Sequence, residues 1–265
     1  MAKQETDNYL IEFKDVCQSY PDKKDVIKGF DLIVDQEPGT DKVIGILGPS
    51  GCGKSTILRY LSALQKPTSG GVFIKGEPIT DNTVVGMVFQ QYSSLPWYTV
   101  LENVALGLEL RGVPLKERTE KAMEMIKLVG LEGHEKKRAL SPALSGGQLQ
   151  RVAIGRSLLA NSQILLMDEP FGALDVSTRL SMQELLRSVL SMPDDMTVMF
   201  VTHDIPEAVY LSDEIQIMGA NPGRIVDTIE LNWPKDREPS IKREPKFVKM
   251  VYDIEDRMAK LKKQK

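Results

Sequence analysis

Several things are scarce in this sequence, and each shortage removes a class of protein. There are two cysteines in 265 residues, Cys17 and Cys52, and neither their number nor their spacing suits a disulfide framework or a metal site. No run approaches the roughly 18–20 consecutive apolar residues that a membrane-spanning helix needs. The opening Met1-Ala2-Lys3-Gln4-Glu5-Thr6-Asp7 lacks the apolar core of a secretory signal. Neither sign of charge dominates: 34 basic residues meet 37 acidic ones, for a formal net charge of −3. No overall field therefore favours nucleic acid. Internal repeats and low-complexity tracts are missing too. The expectation is a reduced, soluble, cytosolic protein with ample core, in one large domain or two small ones.

What is present begins with Gly48-Pro49-Ser50-Gly51-Cys52-Gly53-Lys54-Ser55-Thr56. An apolar run, Val43-Ile44-Gly45-Ile46-Leu47, precedes it, and Ile57-Leu58-Arg59-Tyr60-Leu61 follows. The order is strand, glycine-rich loop, helix, and the loop fits G-x-x-x-x-G-K-[ST]. Its glycines let successive backbone N–H groups turn inward around phosphate oxygens, and the helix start adds unpaired donors and a positive dipole end. Lys54 can then reach the β/γ-phosphates and the Ser55 hydroxyl can ligate Mg²⁺. Cys52 falls where side-chain identity is free. The expected ligand is a nucleoside triphosphate.

The remainder of the chain supplies polar groups at the ends of apolar runs. Two β-like segments, around residues 10–13 and 27–34, flank a turn at 21–25, with Tyr20 just before it. Tyr20 fits an aromatic platform for a base or an ordinary half-buried tyrosine, and a lone π-face favours the latter. Residues 66–71 read as a breaker; 72–74 and 84–89 read as strands. The second strand ends in Gln90, which suits either a metal-directed amide or a solvated strand end. From 99 to about 160 the period becomes helical, as in an inserted subdomain. Leu144-Ser145-Gly146-Gly147-Gln148 opens a helix over 149–159, with the S-x-x-Q spacing of a capping box. Its two glycines offer a second anion-binding helix start or a plain capped turn, with nothing to choose between them.

Ile164-Leu165-Leu166-Met167 suits a parallel strand buried on both faces, ending in Asp168-Glu169-Pro170. In an open α/β sheet those acids should face the glycine loop. Asp168 can then hold Mg²⁺, and Glu169 can orient and deprotonate a water. A third buried run, 198–201, ends in Thr202-His203-Asp204, where His203 fits a γ-phosphate contact or a structural histidine. The other histidine, His134, lies in a charged loop and is given no role. Residues 215–218 and 225–229 read as a hairpin around Asn221-Pro222-Gly223. Residues 234–245 have a linker's composition, and Phe247, Val251, Ile254, Met258 and Leu261 form a narrow stripe expected to dock on the chain's own domain.

Taken together, these motifs resemble the ATP-binding subunits of ABC transporters over nearly the whole chain. Tyr20 matches that family's adenine-stacking aromatic, 48–56 its Walker A loop, Gln90 its Q-loop glutamine and 144–148 its LSGGQ signature. Asp168 and Glu169 match the Walker B metal ligand and catalytic glutamate, Ala173-Leu174-Asp175 the D-loop, and His203 the switch histidine. The resemblance implies an α/β fold: a P-loop NTPase (RecA-like) core with an antiparallel β subdomain and an inserted α-helical subdomain. The implied ATPase domain spans 8–233, with the helical subdomain at about 91–160, and 234–265 forms a linker and C-terminal helix.

The resemblance also implies a mechanism. Two copies pair head to tail, and ATP with Mg²⁺ lies between the P-loop of one and Ser145, Gly146, Gly147, Gln148 and Asp175 of the other. Ser55, Gln90 and Asp168 are the implied metal ligands; Glu169, His203 and Gln90 the implied catalytic set. The implied partners are integral-membrane permease subunits met by residues 92–103 and, indirectly, a solute-binding protein, at the cytoplasmic face of the membrane, with no nucleic acid. Leu95-Pro96-Trp97-Tyr98-Thr99-Val100-Leu101-Glu102-Asn103-Val104 and Asn221-Pro222-Gly223-Arg224-Ile225 look like importers of nitrate, sulfonates and taurine. Residues 36–42 look a few residues longer than usual for them. The competing expectation is a non-transport ABC ATPase acting on nucleic acid or ribosomes.

Overall fold

A strand buried on both faces can satisfy its backbone only between two other strands. In the computed structural model, β3 (Lys42–Leu47) lies in that position, buried in all but its first residue. Residues 9–20, 23–35, 40–91, 93–160, 163–190 and 196–263 are described. Residues 36–39 of the long-looking stretch 36–42 lie outside them, as do 21–22 of the turn expected at 21–25, and Tyr92.

Beside β3 run β8 (Thr197–Val201) and β9 (Glu214–Gly219), both parallel to it. The six-stranded sheet is completed by β7 (Ile164–Asp168), β6 (Gly86–Val88) and the antiparallel edge strand β10 (Arg224–Glu230), in the order β10-β9-β3-β8-β7-β6. Register decides where the site falls. Ile46 pairs with Val201, and Val201 with Asp168, so the chain leaves β3, β7 and β8 at one rim. That is the carboxyl end, where ligands of such sheets bind.

A second sheet, entirely antiparallel, contains β1 (Ile11–Tyr20), β2 (Lys23–Val34), β4 (Ser69–Ile74) and β5 (Glu77–Pro78) in the order β2-β1-β4-β5. Its strands run longer than the apolar pattern predicts. Bulges with register shifts at Phe13/Val16 and Val16/Gln18, and a left-handed Asp15 (φ 47°), carry pairing on to Tyr20 after the alternation fails. Residues 23–25 of the expected turn are already strand in β2, and the breaker at 66–71 is already strand from Ser69. Conversely, the run at 84–89 is strand only over Gly86–Val88.

Helix α1 (Lys54–Leu61) is wedged between the two sheets, with Ile57, Leu58 and Leu61 fully buried. Each contributes about 1.5–3 kcal/mol by leaving water. Tyr60, also buried, donates a 2.6 Å hydrogen bond to Gln18 Oε1 of β1. Helices α2 (Val100–Leu110), α3 (Leu115–Leu128) and α4 (Gly146–Leu159) build a separate apolar cluster around Val104, Ile126 and Val152. Helix α5 (Val176–Leu190) and helix α6 (Ile205–Leu211) cover the main sheet.

The linker-like stretch at 234–245 is, in fact, packed. Arg237, only 6% exposed, donates from Nε to Tyr210 O (2.6 Å) and from Nη2 to Leu211 O (2.8 Å) and Ser212 O (2.7 Å). A cation at the carboxyl end of α6 satisfies carbonyls that the helix cannot and complements its dipole. Burial, then the neighbouring Arg187 guanidinium, lowers Arg237 to a pKa of about 10. A 3₁₀ turn (Pro239–Arg243) buries Ile241, and α7 (Pro245–Lys263) docks through Phe247, Val251, Ile254, Met258 and Leu261 on the same core. The docking of the terminal stripe is as its spacing predicts.

Helix α6 carries a measurable consequence of burial. Glu207 is 4% exposed and accepts from Gln183 Nε2 at 3.2 Å; desolvation pushes its pKa from 4.5 up to about 7. The folded chain thus keeps a proton that the unfolded chain releases, and stability falls as pH rises from 4.5 through 7. Glu207→Gln removes this dependence. Its unfolding free energy relative to the parent chain is expected to rise by about 3 kcal/mol between pH 4.5 and 8. Urea titrations at both pH values measure it, and a pH-independent difference would contradict the assignment.

Candidate functional site

The turn after β3 is shaped by its glycines. Gly53 sits at φ +104°, and a Cβ there would lie 2.8 Å from Ile27 side-chain atoms. Lys54 starts α1 and is 7% exposed; its Nζ donates to Gly48 O (2.8 Å) and Pro49 O (3.1 Å), so the ammonium lies across the loop. Pro49 O also accepts from Cys52 N–H (3.3 Å). The Cys52 side chain is buried, and burial pushes its thiol pKa up, so this position contributes backbone rather than a reactive group. In front of the loop lies a cleft of about 1000 Å³ lined by Tyr20, Ser50, Gly51, Lys54, Thr56 and Glu169, among others. That volume accommodates a nucleoside triphosphate. Tyr20 stands at its edge, 39% exposed, with its hydroxyl accepting from Gln65 Nε2 (2.9 Å).

Acidic groups arrive from the neighbouring strands as the register dictates. Asp168, the last residue of β7, accepts from Ser55 Oγ at 2.9 Å. Desolvation first, and the adjacent Glu169 charge as well, raise the Asp168 pKa, while the Ser55 bond opposes them. A carboxylate so placed gains from a cation. Glu169 adopts the left-handed region (φ 45°), a strain of roughly 1–3 kcal/mol for a residue with a Cβ. Its Oε2 accepts from Gln90 Nε2 at 3.1 Å and lies 3.4 Å from His203 Nδ1. The glutamine after β6, the acid after β7 and the histidine after β8 therefore converge on one carboxylate beside the loop. Gln90 meets Glu169 rather than Ser55 or Asp168.

The remaining expected site residues lie elsewhere. Ser145 caps α4: its Oγ accepts from Gln148 N–H (3.3 Å) while Gln148 Oε1 accepts from Ser145 N–H (2.9 Å). Both halves of the predicted capping box are present, and the helix begins at Gly146 rather than at 149. A Cβ on Gly147 would lie 2.4 Å from Thr178 Cγ2, so this helix start packs against the start of α5. Asp175 stands just before α5 and accepts from Ser177 Oγ (2.6 Å) and Thr178 N–H (3.1 Å); the Ser177 bond chiefly lowers its pKa. None of Ser145, Gly146, Gly147, Gln148 or Asp175 lines the cleft. The start of α4 thus lies apart from the cleft in front of the glycine loop.

Two features carried no usable signal in the sequence. His134 Nε2 lies 2.9 Å from Gln148 Nε2, a contact between residues separated by fourteen positions. Gly223, read as part of a hairpin, packs its Cα so close to the glycine loop that a Cβ would fall 2.0 Å from Cys52 O. Its N–H donates to Val26 O (2.8 Å), tying β10 to β2 and bracing the loop from behind.

A parallel sheet with this loop after one strand, and the adjacent acids Asp168 and Glu169 at the end of another, defines a P-loop nucleotide-binding protein. Comparison with known proteins narrows the class. A family model described as ABC transporter matches residues 34–172. An ABC transporter ATP-binding protein of Methanocaldococcus jannaschii is 49% identical over 201 residues, 74% of each chain. The taurine import ATP-binding protein TauB of Pseudomonas putida is 40% identical over 246 residues, 90% of this chain and 91% of its own. Among solved structures, a dimeric ATP-binding cassette in a post-hydrolysis state with ADP and Pi superposes with a TM-score of 0.71 at 33% identity, covering 84% of this chain and all of that one. The chain belongs to the ABC transporter family, as an ATP-binding subunit that hydrolyses ATP. Among the described residues no helix is long and apolar enough to cross a membrane.

Proposed function

We propose that this chain powers an importer of small sulfonates of the taurine type, working as a head-to-tail dimer of two copies bound to permease subunits at the cytoplasmic face of the membrane. The observation that carries the ATPase reading is the convergence of Gln90 and His203 on Glu169, beside the loop that holds Lys54 and Ser55. The solute class is supported by the taurine import relative, which is similar along nine-tenths of the chain. The nucleic-acid alternative has no such support.

In this reading Tyr20 would stack on the adenine, the backbone of 48–56 and Lys54 would hold the phosphates, and Ser55 and Asp168 would hold Mg²⁺, with Gln90 turned to Glu169 instead. The adjacency of Ser55 and Asp168, and the burial that disfavours an uncompensated Asp168 charge, fit that ion. When bound it neutralises charge on the phosphates. Glu169 takes a proton from the attacking water, and His203 and Gln90 keep the carboxylate aimed. The partner copy brings Ser145, Gly146, Gly147, Gln148 and Asp175 to the γ-phosphate, which explains why one chain carries two separate anion-receptive helix starts.

Permease contact is assigned to the loop between β6 and α2. Asn103, fully buried in the first turn of α2, accepts from Leu95 N–H (2.8 Å) and donates to Leu95 O and Thr99 O of that loop, where Trp97 stays 60% exposed. The reading is tested by purifying the tagged chain from detergent-solubilised membranes and reconstituting what accompanies it in vesicles. The expected result is an integral-membrane permease in the eluate and ATP-dependent taurine uptake. Recovery of ribosomes or nucleic acid without a permease would overturn it.

A further inference from the structure

The chain has two histidines, and the one outside the nucleotide site touches the LSGGQ helix. His134 lies in a turn fixed on several sides. Its N–H donates to Leu131 O (3.1 Å) and its carbonyl accepts from Lys137 N–H (2.9 Å). The same turn is clipped to the start of α2, where Leu101 N–H donates to Glu135 O (3.0 Å) and Val100 N–H to Lys137 O (2.9 Å). The ring is half-buried and projects its Nε2 to 2.9 Å from Gln148 Nε2, while its Nδ1 lies 3.2 Å from Glu132 O.

Donor and acceptor roles in this chain of contacts follow from its obligatory members. Ser145 N–H is a backbone donor and can only donate, so the Gln148 atom 2.9 Å from it must be the amide oxygen. The NH₂ of Gln148 is thereby turned towards His134, and Nε2 of the ring must accept. A neutral imidazole has one N–H, which then sits on Nδ1, and Glu132 O, which can only accept, is there to receive it. Every link agrees with every other. With the opposite tautomer N–H would face N–H at Gln148, and at Glu132 a lone pair would face a lone pair. Rotating the Gln148 amide to relieve the first clash would remove the acceptor from Ser145 N–H and open the capping box.

We propose that His134 is a positioning residue for ATP hydrolysis: as the Nδ1–H tautomer it holds the Gln148 amide in the one orientation that closes the capping box. The closed box engages the Ser145 N–H and leaves the N–H groups of Gly146 and Gly147, at the first two helical positions, without intrahelical acceptors. These are the donors a partner copy's γ-phosphate would meet, so the inference rests on the head-to-tail reading of the site. His134 itself touches no nucleotide. Its effect falls on the closed dimer, not on the first binding of ATP to the P-loop.

The test has two arms. Nitrogen-15 spectra of the ¹⁵N-histidine-labelled chain, with His203→Ala used for assignment, are expected to report the Nδ1–H tautomer for His134. The Nε2–H tautomer overturns the proposal, whether or not any variant folds. In the second arm, His134→Phe keeps the ring bulk and removes the acceptor, whereas His134→Gln restores an acceptor near the place of Nε2. The phenylalanine variant is expected to lose about three- to tenfold in kcat, the worth of one neutral hydrogen bond, with unchanged affinity of the monomer for a fluorescent ATP analogue. The glutamine variant should stay within about twofold of the parent chain. Equal activity of the phenylalanine variant and the parent, or equal loss in both variants, overturns the proposal. Ser145→Arg is run beside them: if it hydrolyses ATP normally, the head-to-tail reading has failed in its own right. If it is inactive while His134→Phe is normal, only the role of His134 falls.

Discussion

Glu169→Gln is expected to lower steady-state ATP turnover by at least about 10², the range associated with loss of a positioned general base, while ATP binding is retained. Glutamine is nearly isosteric and can still meet Gln90 and His203, which now converge on Glu169 Oε2. What it cannot do is take a proton. The left-handed backbone at Glu169 is unchanged by the substitution, so the group stays aimed at the cleft beside Lys54 and Ser55. Measured kcat and a nucleotide dissociation constant separate the two effects. A variant with near-normal turnover would remove Glu169 from the role of base.

Ser145→Arg should be as severe for a different reason. Serine at the start of α4 closes the capping box and flanks two glycine N–H groups. In the proposed head-to-tail dimer arginine would fill the space of the partner copy's phosphate, and loss of several donors aimed at a developing charge is worth about 10² or more in rate. Loss of the cap alone destabilises by only about 1 kcal/mol, and Ser145→Ala measures that part separately. Hydrolysis is expected to be abolished in Ser145→Arg and reduced only moderately in Ser145→Ala. Because Ser145 does not line the chain's own cleft, nucleotide affinity of the monomer should be unaltered by either. A normal hydrolysis rate in Ser145→Arg would argue against trans-completion.

The parts of this protein that could be read from its sequence are those whose physics is local. A glycine loop between a strand and a helix, an apolar run ending in Asp168 and Glu169, and the S-x-x-Q spacing at Ser145 each announce themselves within a few residues. So does the stripe from Phe247 to Leu261. What stayed hidden depends on distant partners. Residues 234–245 have the composition of a linker because the groups that bury Arg237 are the carbonyls of Tyr210, Leu211 and Ser212, and no local pattern advertises a backbone acceptor. His134 carried no signal because its partner is fourteen residues away on another element. The reach of β1 was missed since bulges let pairing continue after the alternation of side chains fails. Gly223 read as a turn glycine, and the close approach of Cys52 O that requires it is visible only in three dimensions.

The central claim is that each chain holds half of two sites, and it meets its most direct test in sedimentation of the Glu169→Gln chain at saturating Mg²⁺ and ATP. The expected result is a dimer with ATP that reverts to monomer with ADP and is abolished when Ser145→Arg is added to the same chain. A species that binds ATP yet remains monomeric, or a dimer indifferent to Ser145→Arg, would contradict the account.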